Sequence, residues 1–194
     1  MPPKAKFTRE EIINASLTIV RQKGVDALTA RELGKWLGSS ARPIFTAFKN
    51  MDEVIYELII SAKKLYREYI EKGLSEEIPF RGVGKQYILF AIKEPKLFML
   101  LFMTEKKETL TMSNILSVID DNYDKILNSI TSCYNIEKEK AIALYKHLWI
   151  YSHGIATLCA TGMCRFEPDE INNMISEVFI SLIKNMSQEV ENNA

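Results

Sequence analysis

The sequence has few of the residues that build β-rich or disulfide-bonded proteins. Eight glycines and six prolines in 194 residues leave little material for the many tight turns of a β architecture. Three cysteines, Cys133, Cys159 and Cys164, show no CxxC spacing, so we expect reduced, buried thiols in a cytoplasmic protein. No apolar run reaches membrane-spanning length, and the N-terminus turns polar where a signal peptide needs its apolar stretch.

Charge is unevenly distributed along the chain. The 25 basic and 25 acidic side chains balance overall. Residues 1–50, however, contain nine Lys or Arg against four Asp or Glu, a net charge of +5, so the remainder carries −5. A basic segment attached to an acidic body indicates a module that binds a polyanion and a second part that does not.

Apolar residues recur at helical spacing along almost the whole chain, and no segment has the pattern of a strand. We therefore predict an all-α protein of about nine helices. Three short helices form a head over residues 1–51, and residues 52–194 form a larger helical body. The six predicted helices of the body cover 52–74, 80–93, 95–104, 113–133, 137–163 and 168–188.

Start and stop signals place the first two helices of the head. Thr8 and Glu11 form a capping-box pattern at the start of the first helix. Thr29 caps a short second helix. Gly24 and Gly38 stand where these two helices must end. The predicted apolar face of the second helix comprises Leu33, Trp36 and Leu37.

Pro43 limits where the third helix can begin. Proline inside a helix removes a donor and clashes with the preceding turn, at a cost of roughly 3 kcal/mol or more. It is tolerated in the first turn, so we predict that the third helix begins with Ser40 as its N-cap. Ile44 and Phe48 then face the core of the head. Three short helices, the last two joined by a tight turn containing Gly38, are typical of a helix-turn-helix.

A helix-turn-helix places the start of its third helix in the major groove of DNA. The second helix braces the third, and free N–H groups at helix starts attract phosphate, for which Thr29 is well placed. The predicted DNA-binding residues are Lys6, Thr29, Arg31, Ser39, Ser40, Arg42, Pro43, Phe45, Thr46 and Lys49.

The segment FTREEIINASLTIVRQKGVDALTARELGKWLGSSARPIFTAFKNMDEVI, from Phe7 to Ile55, resembles the N-terminal domain of TetR/AcrR-type repressors. HLWIYSHGIATLCATG, from His147 to Gly162, resembles the Trp-His-Gly signature of one type of TetR-like C-terminal domain. The resemblance implies a helical homodimer that binds a palindromic double-stranded DNA operator and is released by a small-molecule effector. It also implies that the body, 52–194, binds that effector and forms the dimer.

The chain departs from the usual residues of that family at three places in the head. Phe45 replaces a tyrosine, Ala47 replaces a histidine and Met51 replaces a lysine. Because the usual residues contact phosphate, these departures favour an alternative function. In that alternative the chain is a small-molecule-binding or adaptor protein of the same fold with weakened DNA binding.

Aromatic residues in the body indicate either an ordinary core or a pocket for an uncharged, apolar or aromatic effector. Trp149 and His153 are four residues apart and share one helical face, where His153 either is a satisfied core residue or orients a ligand. No other polar group is expected to converge there. The predicted ligand-binding residues are Tyr66, Tyr87, Phe90, Phe98, Phe102, Tyr123, Trp149 and His153.

The last helix carries an apolar stripe that is either core or dimer seam, and the family resemblance favours a four-helix dimer interface. His147 and His153 lie on different helical faces, so no metal site is predicted. No catalytic motif is present, and we predict neither enzymatic activity nor a cofactor. The predicted dimer residues are Ile171, Ile175, Val178, Phe179 and Leu182.

Overall fold

The computed structural model describes residues 6–105 and 109–191, with side chains as far as residue 186. Lys4, which is predicted to belong to a basic N-terminal arm, lies outside the described residues. The described chain is all-helical, with ten α-helices, a 3-10 turn at Val25–Ala27 and no strand. The helices are α1 (Arg9–Lys23), α2 (Ala30–Trp36), α3 (Ile44–Ala47), α4 (Met51–Leu74), α5 (Pro79–Lys93), α6 (Pro95–Phe102), α7 (Ile115–Ile119), α8 (Tyr123–Tyr134), α9 (Lys138–Ala160) and α10 (Pro168–Glu191).

The predicted helix over 113–133 is interrupted, which raises the helix count from nine to ten. Asp120 is extended (φ −126°, ψ 111°) and ends α7. Its Oδ1 accepts a hydrogen bond from the backbone N–H of Asn122 at 2.8 Å, and its Oδ2 accepts one from the Tyr66 hydroxyl at 2.8 Å. An aspartate that bonds the backbone two residues on competes with the helix, so the chain turns before α8 begins.

The prediction that Ser40 caps the third helix is wrong. Helix α3 begins at Ile44, and Pro43 (φ −61°, ψ −26°) occupies the N-cap position. The backbone N–H of Ser39 donates to the Gly34 carbonyl at 2.8 Å, which holds the following residues against α2. Ala41 and Pro43 therefore lie in a turn closed by i→i+3 bonds, the first from the Ile44 N–H to the Ala41 carbonyl at 3.1 Å. The fixed φ of proline suits this position without any capping serine.

The local signals in α1 and α2 are confirmed, with one exception. Thr8 and Glu11 form both bonds of the capping box, and the Thr29 side chain accepts from the backbone N–H of Glu32. Leu33 is fully buried. Trp36, predicted on the same apolar face, is instead 44% exposed. Gly24 and Gly38 have φ of +85° and +65°, values that favour glycine.

The described chain separates into two compact units. The first comprises the residues up to Leu65 together with Glu94–Thr104, and the second comprises Tyr66–Lys93 and the residues from Glu105 onward. In the first unit α6 packs on α1, where the Arg21 guanidinium donates two hydrogen bonds of 2.8 Å to the Glu94 carboxylate. These units differ from the predicted division at residues 51 and 52, which remains a prediction about functional domains.

In the second unit α5, α8, α9 and α10 pack around one core. The backbones of α4 and α5 also touch at Gly73 and Gly82. A Cβ added to Gly82 would lie 2.2 Å from the Gly73 carbonyl oxygen, and one added to Gly73 would lie 2.6 Å from the Gly82 carbonyl carbon. Only glycine permits this approach at either position.

Gly34→Ala is expected to lower the free energy of unfolding by about 1–3 kcal/mol, as overpacking does. The new Cβ would lie 2.8 Å from the Ser40 carbonyl carbon and 2.9 Å from the Ala41 nitrogen, both backbone atoms. Gly154→Ala is the matched control, since a Cβ there meets nothing within 4 Å and should add about 0.5–1 kcal/mol of helix stability. Urea denaturation of both variants measures the difference, and equal stabilities would contradict the close packing at Gly34.

Candidate functional site

The predicted DNA-binding residues form the exposed side of the head. Eight of the ten are exposed, and only Ser39 and Pro43 are half-buried. Beneath them Ile44 is fully buried and Phe48 is 2% exposed. The apolar side of α3 therefore packs inward, while Arg42, in the turn before α3, and Thr46, within it, are exposed.

Arg9 joins three elements of the head and was not predicted as a site residue. Its guanidinium donates to the Ala47 carbonyl at 2.6 Å, at the end of α3. It also forms ion pairs of 2.8 Å with Glu53 and Glu57, on the first turns of α4. The Phe48 ring lies beneath it, 4.0 Å from the ring centroid to the guanidinium carbon. Arg9 therefore fixes the end of α3, and its donors are used within the head.

A concave surface lies beside α2 and the following turn. Arg31 and Lys35 are exposed on it, while the one acid on it, Glu32, is paired with Lys23 at 2.5 Å. Hydrogen bonding to Lys23 lowers the pKa of Glu32. Lys35 was missed by the sequence prediction, although its position four residues after Arg31 puts both cations on one helical face. The surface is lined by Thr29, Arg31, Glu32, Lys35, Ser39, Ser40 and Ala41.

The second unit contains a cavity of about 280 Å³ with mostly aromatic walls. Three predicted ligand-binding residues, Tyr66, Tyr87 and Trp149, line it. Its rim includes Ile78 and Arg81, which are exposed. Four further aromatic residues line it that the sequence prediction missed, namely Phe80, Tyr134, Tyr145 and Phe179.

The other predicted ligand-binding residues lie elsewhere. Phe90 is fully buried, with its ring centroid 5.4 Å from that of Tyr66, and Tyr123 stacks on Tyr145 at 5.9 Å. Both contact residues of the cavity without lining it. Phe98 and Phe102 pack on each other within α6, at 5.2 Å, and belong to the first unit.

His153 lies behind the cavity wall. Its Nδ1 and the Tyr87 hydroxyl share a hydrogen bond of 2.8 Å, and its ring stacks on Trp149 at 5.2 Å between centroids. Burial lowers the pKa of His153 and raises that of Tyr87. The nearby Trp149 indole N–H partly offsets the shift of Tyr87, although its geometry falls short of a hydrogen bond.

A carboxyl group lines the cavity, contrary to the expectation that nothing polar besides His153 converges there. Asp120 is only 4% exposed. It accepts from the Tyr66 hydroxyl and from the Asn122 backbone N–H, as described above. Burial raises the pKa of Asp120, and none of the ion pairs formed by described residues includes it. The carboxyl therefore lacks a cationic partner at the wall of the cavity.

The predicted dimer residues of α10 differ in their surroundings. Ile171 and Ile175 are each 7% exposed and are buried within this chain. Phe179 contacts Tyr134 at 4.9 Å between ring centroids and lines the cavity, as does Ile175. Val178 and Leu182 are half-buried. Two other apolar side chains, Ile150 of α9 and Ile180 of α10, are 50% and 48% exposed, and Ile180 also lines the cavity.

An all-helical chain with these elements in this order has a TetR-like fold. The solved structure of a candidate TetR-family transcriptional regulator from Mesorhizobium loti MAFF303099 matches it with a TM-score of 0.53. The match covers 91% of this chain and 95% of that chain at 17% sequence identity, a level that establishes the fold alone. No protein-family profile and no curated protein matches the sequence.

The described residues contain no helix long and apolar enough to cross a membrane. They also contain no group of three or more His, Cys, Asp or Glu arranged to hold a metal ion.

The His153 imidazole is expected to titrate below its ordinary pKa of 6.5 because burial disfavours its charged form. In the window just below 6.5 the unfolded chain then binds more protons than the folded chain, so stability falls as the pH falls. His153→Gln should remove this contribution. The measurement is the unfolding free energy of wild type minus that of His153→Gln between pH 7 and pH 5, and a difference independent of pH would contradict the shift.

Proposed function

We propose that the protein is a DNA-binding transcriptional regulator, a repressor that binds a palindromic operator as a homodimer. The observation that carries this proposal is the exposed face of the +5 head, where Arg42 and Thr46 lie above the buried Ile44 and Phe48. Arg31 and Lys35 add positive charge on the neighbouring concave surface. Cations beside a projecting helix start suit phosphate contact and base contact together.

In this proposal the cavity of the second unit binds a small, largely apolar effector. Its mostly aromatic walls suit an apolar ligand. His153 acts on the ligand through Tyr87 and Trp149, which it contacts, rather than from the cavity wall itself. Effector binding releases the operator by shifting α4, which contributes residues to both compact units.

Arg42→Ala should weaken DNA binding at least tenfold without changing stability, since Arg42 is exposed and its loss removes a base or phosphate contact. Arg165→Ala, which removes the same charge at an exposed position of the second unit, is the control and should bind as wild type does. The probe is a duplex selected from a random-sequence pool on the wild-type protein. Fluorescence anisotropy measures affinity, which should also fall steeply with salt. Failure to select a duplex, or equal loss in both variants, would refute the proposal.

The homodimer is proposed to form through the exposed apolar side chains of α9 and α10. Ile150 of α9 and Ile180 of α10 are each about half exposed, and Val178 and Leu182, two residues before and after Ile180, are half-buried. Ile171 and Ile175, by contrast, are buried within the chain. They would contribute to the dimer only indirectly, by holding α10 in place. A two-fold axis through such a surface would present two heads to the two half-sites of a palindrome.

Ile150→Asp should convert the dimer to a monomer, because a buried unpaired charge at an apolar interface is strongly unfavourable. Ile92→Asp is the control, since Ile92 is 42% exposed on α5 and outside the proposed surface. Sedimentation velocity measures the mass of each variant. A monomeric wild type, or dimers in both variants, would contradict this interface.

A second candidate function is favoured by the sequence of α3. Phe45 is 46% exposed where the family has a tyrosine, and its ring offers no hydroxyl for phosphate. Ala47 likewise has no polar side chain, and its carbonyl is held by Arg9. A chain that binds ligands in its cavity but selects no duplex would be a small-molecule-binding or adaptor protein of the same fold. The selection experiment above therefore separates the two candidates.

A further inference from the structure

We propose that the ligand of the cavity is an organic cation, a protonated amine carried on an aromatic or apolar group. This inference deepens the proposed function. The role of the cation as effector rests on that function, whereas its binding to the cavity does not. The observation that carries it is the pairing of one buried carboxyl with a wall of aromatic rings.

Asp120 supplies the negative charge. It is 4% exposed, and it accepts from the Tyr66 hydroxyl on Oδ2 and from the Asn122 backbone N–H on Oδ1, while the Asn122 side chain also favours its charged form. A carboxylate has about four acceptor sites, so capacity remains for an ammonium N–H from a ligand. A buried carboxylate without a counterion is costly, and a cation entering the cavity would relieve that cost.

The aromatic walls supply the second attraction. Tyr66, Tyr87 and Trp149 line the cavity with Asp120, and Tyr145 lines it with less than 5% of its surface exposed. The faces of such rings attract a cation, more strongly when water is excluded. An ammonium group beside Asp120 would therefore be held by the carboxylate and by ring faces together, while its apolar part fills the remaining space.

Among the described residues, Arg81 is the one cationic side chain that lines the cavity, and it does not reverse this preference. It is exposed at the rim, together with Ile78, whereas Asp120 is buried. Charge interactions are weak where water screens them and strong where it is excluded. A ligand that reaches the buried part of the cavity is therefore selected by Asp120 rather than by Arg81.

The size of the cavity sets the scale of the ligand. An engineered cavity of about 150 Å³ holds benzene, and this cavity, at about 280 Å³, has room for a ring and a short chain. The preference for charge can therefore be tested with three probes that have the same ring and similar chains but differ in charge. They are 4-phenylbutylammonium, 4-phenylbutan-1-ol and 4-phenylbutanoate.

Isothermal titration calorimetry of the full chain without DNA is the experiment. Wild type should bind 4-phenylbutylammonium at least tenfold more tightly than the alcohol, and the alcohol more tightly than 4-phenylbutanoate. Asp120→Asn keeps the shape and the acceptor for Tyr66 but removes the charge, so it should abolish the preference for the amine and leave binding of the alcohol unchanged. Arg81→Gln is the control and should keep the preference for the amine.

Several outcomes would overturn the inference. These are equal affinity of wild type for amine and alcohol, tighter binding of 4-phenylbutanoate, or an undiminished preference in Asp120→Asn. If Asp120→Asn does not fold, the ranking of the three probes on wild type still decides. A chain that prefers the amine but selects no duplex would refute the proposed regulatory function alone, and a chain that binds DNA without this preference would refute the cation alone.

Discussion

The arrangement of the head depends on a single guanidinium. Arg9 stands at the start of α1 and reaches the last carbonyl of α3, the ring of Phe48 and two carboxylates of α4. These partners come from parts of the chain about 40 to 50 residues away, so no local propensity could bring them together. Exposed ion pairs contribute little to stability by themselves. Arg9 instead fixes the orientation of its partners. Its guanidinium is planar and has several N–H donors, so it sets the directions of its hydrogen bonds as well as their lengths. A four-residue helix such as α3 has too few internal hydrogen bonds to hold its own direction, and it needs such an anchor.

The second unit contains the opposite situation, a buried carboxyl that forms no ion pair among the described residues. Burial raises the pKa of Asp120, while hydrogen bonds from the Asn122 N–H and the Tyr66 hydroxyl favour its charged form. The same carboxyl lines an aromatic cavity. The same residue ends α7, so its side chain both shapes the backbone and supplies the polar group of the cavity. A perturbed carboxyl at the wall of a cavity is a candidate for ligand recognition.

Sequence patterns predicted the fold well because helical periodicity and caps are local. The capping box of Thr8 and Glu11 and the Thr29 cap need only neighbouring residues, and both were found as predicted. The start of α3 was misplaced because it depends on contact with Gly34, whose closeness to Ser40 no spacing rule reveals. For the same reason periodicity identified aromatic residues in the body but not which of them share a cavity. Phe98 and Phe102 belong to the first unit, while Phe80 and Tyr145 line the cavity. The break at Asp120 was also missed. The bond from the Asn122 N–H that competes with the helix is local, but apolar periodicity does not reveal that Asp120 is buried and bonded to Tyr66, 54 residues away.

The contact of Gly73 with Gly82 has a mechanical consequence. Helices separated by side chains absorb small shifts, since rotamers adjust before the backbone must move. Here two peptide backbones are in contact with no side chain between them, so no rotamer change can absorb a shift of one helix against the other. Gly82 is followed in α5 by Val83 and Gly84, both at the cavity wall. A displacement of this stretch of α5 would therefore also have to move the last turn of α4. The two glycines therefore couple the end of α4 rigidly to the start of α5. A larger residue at either position would push the two helices apart and weaken this coupling.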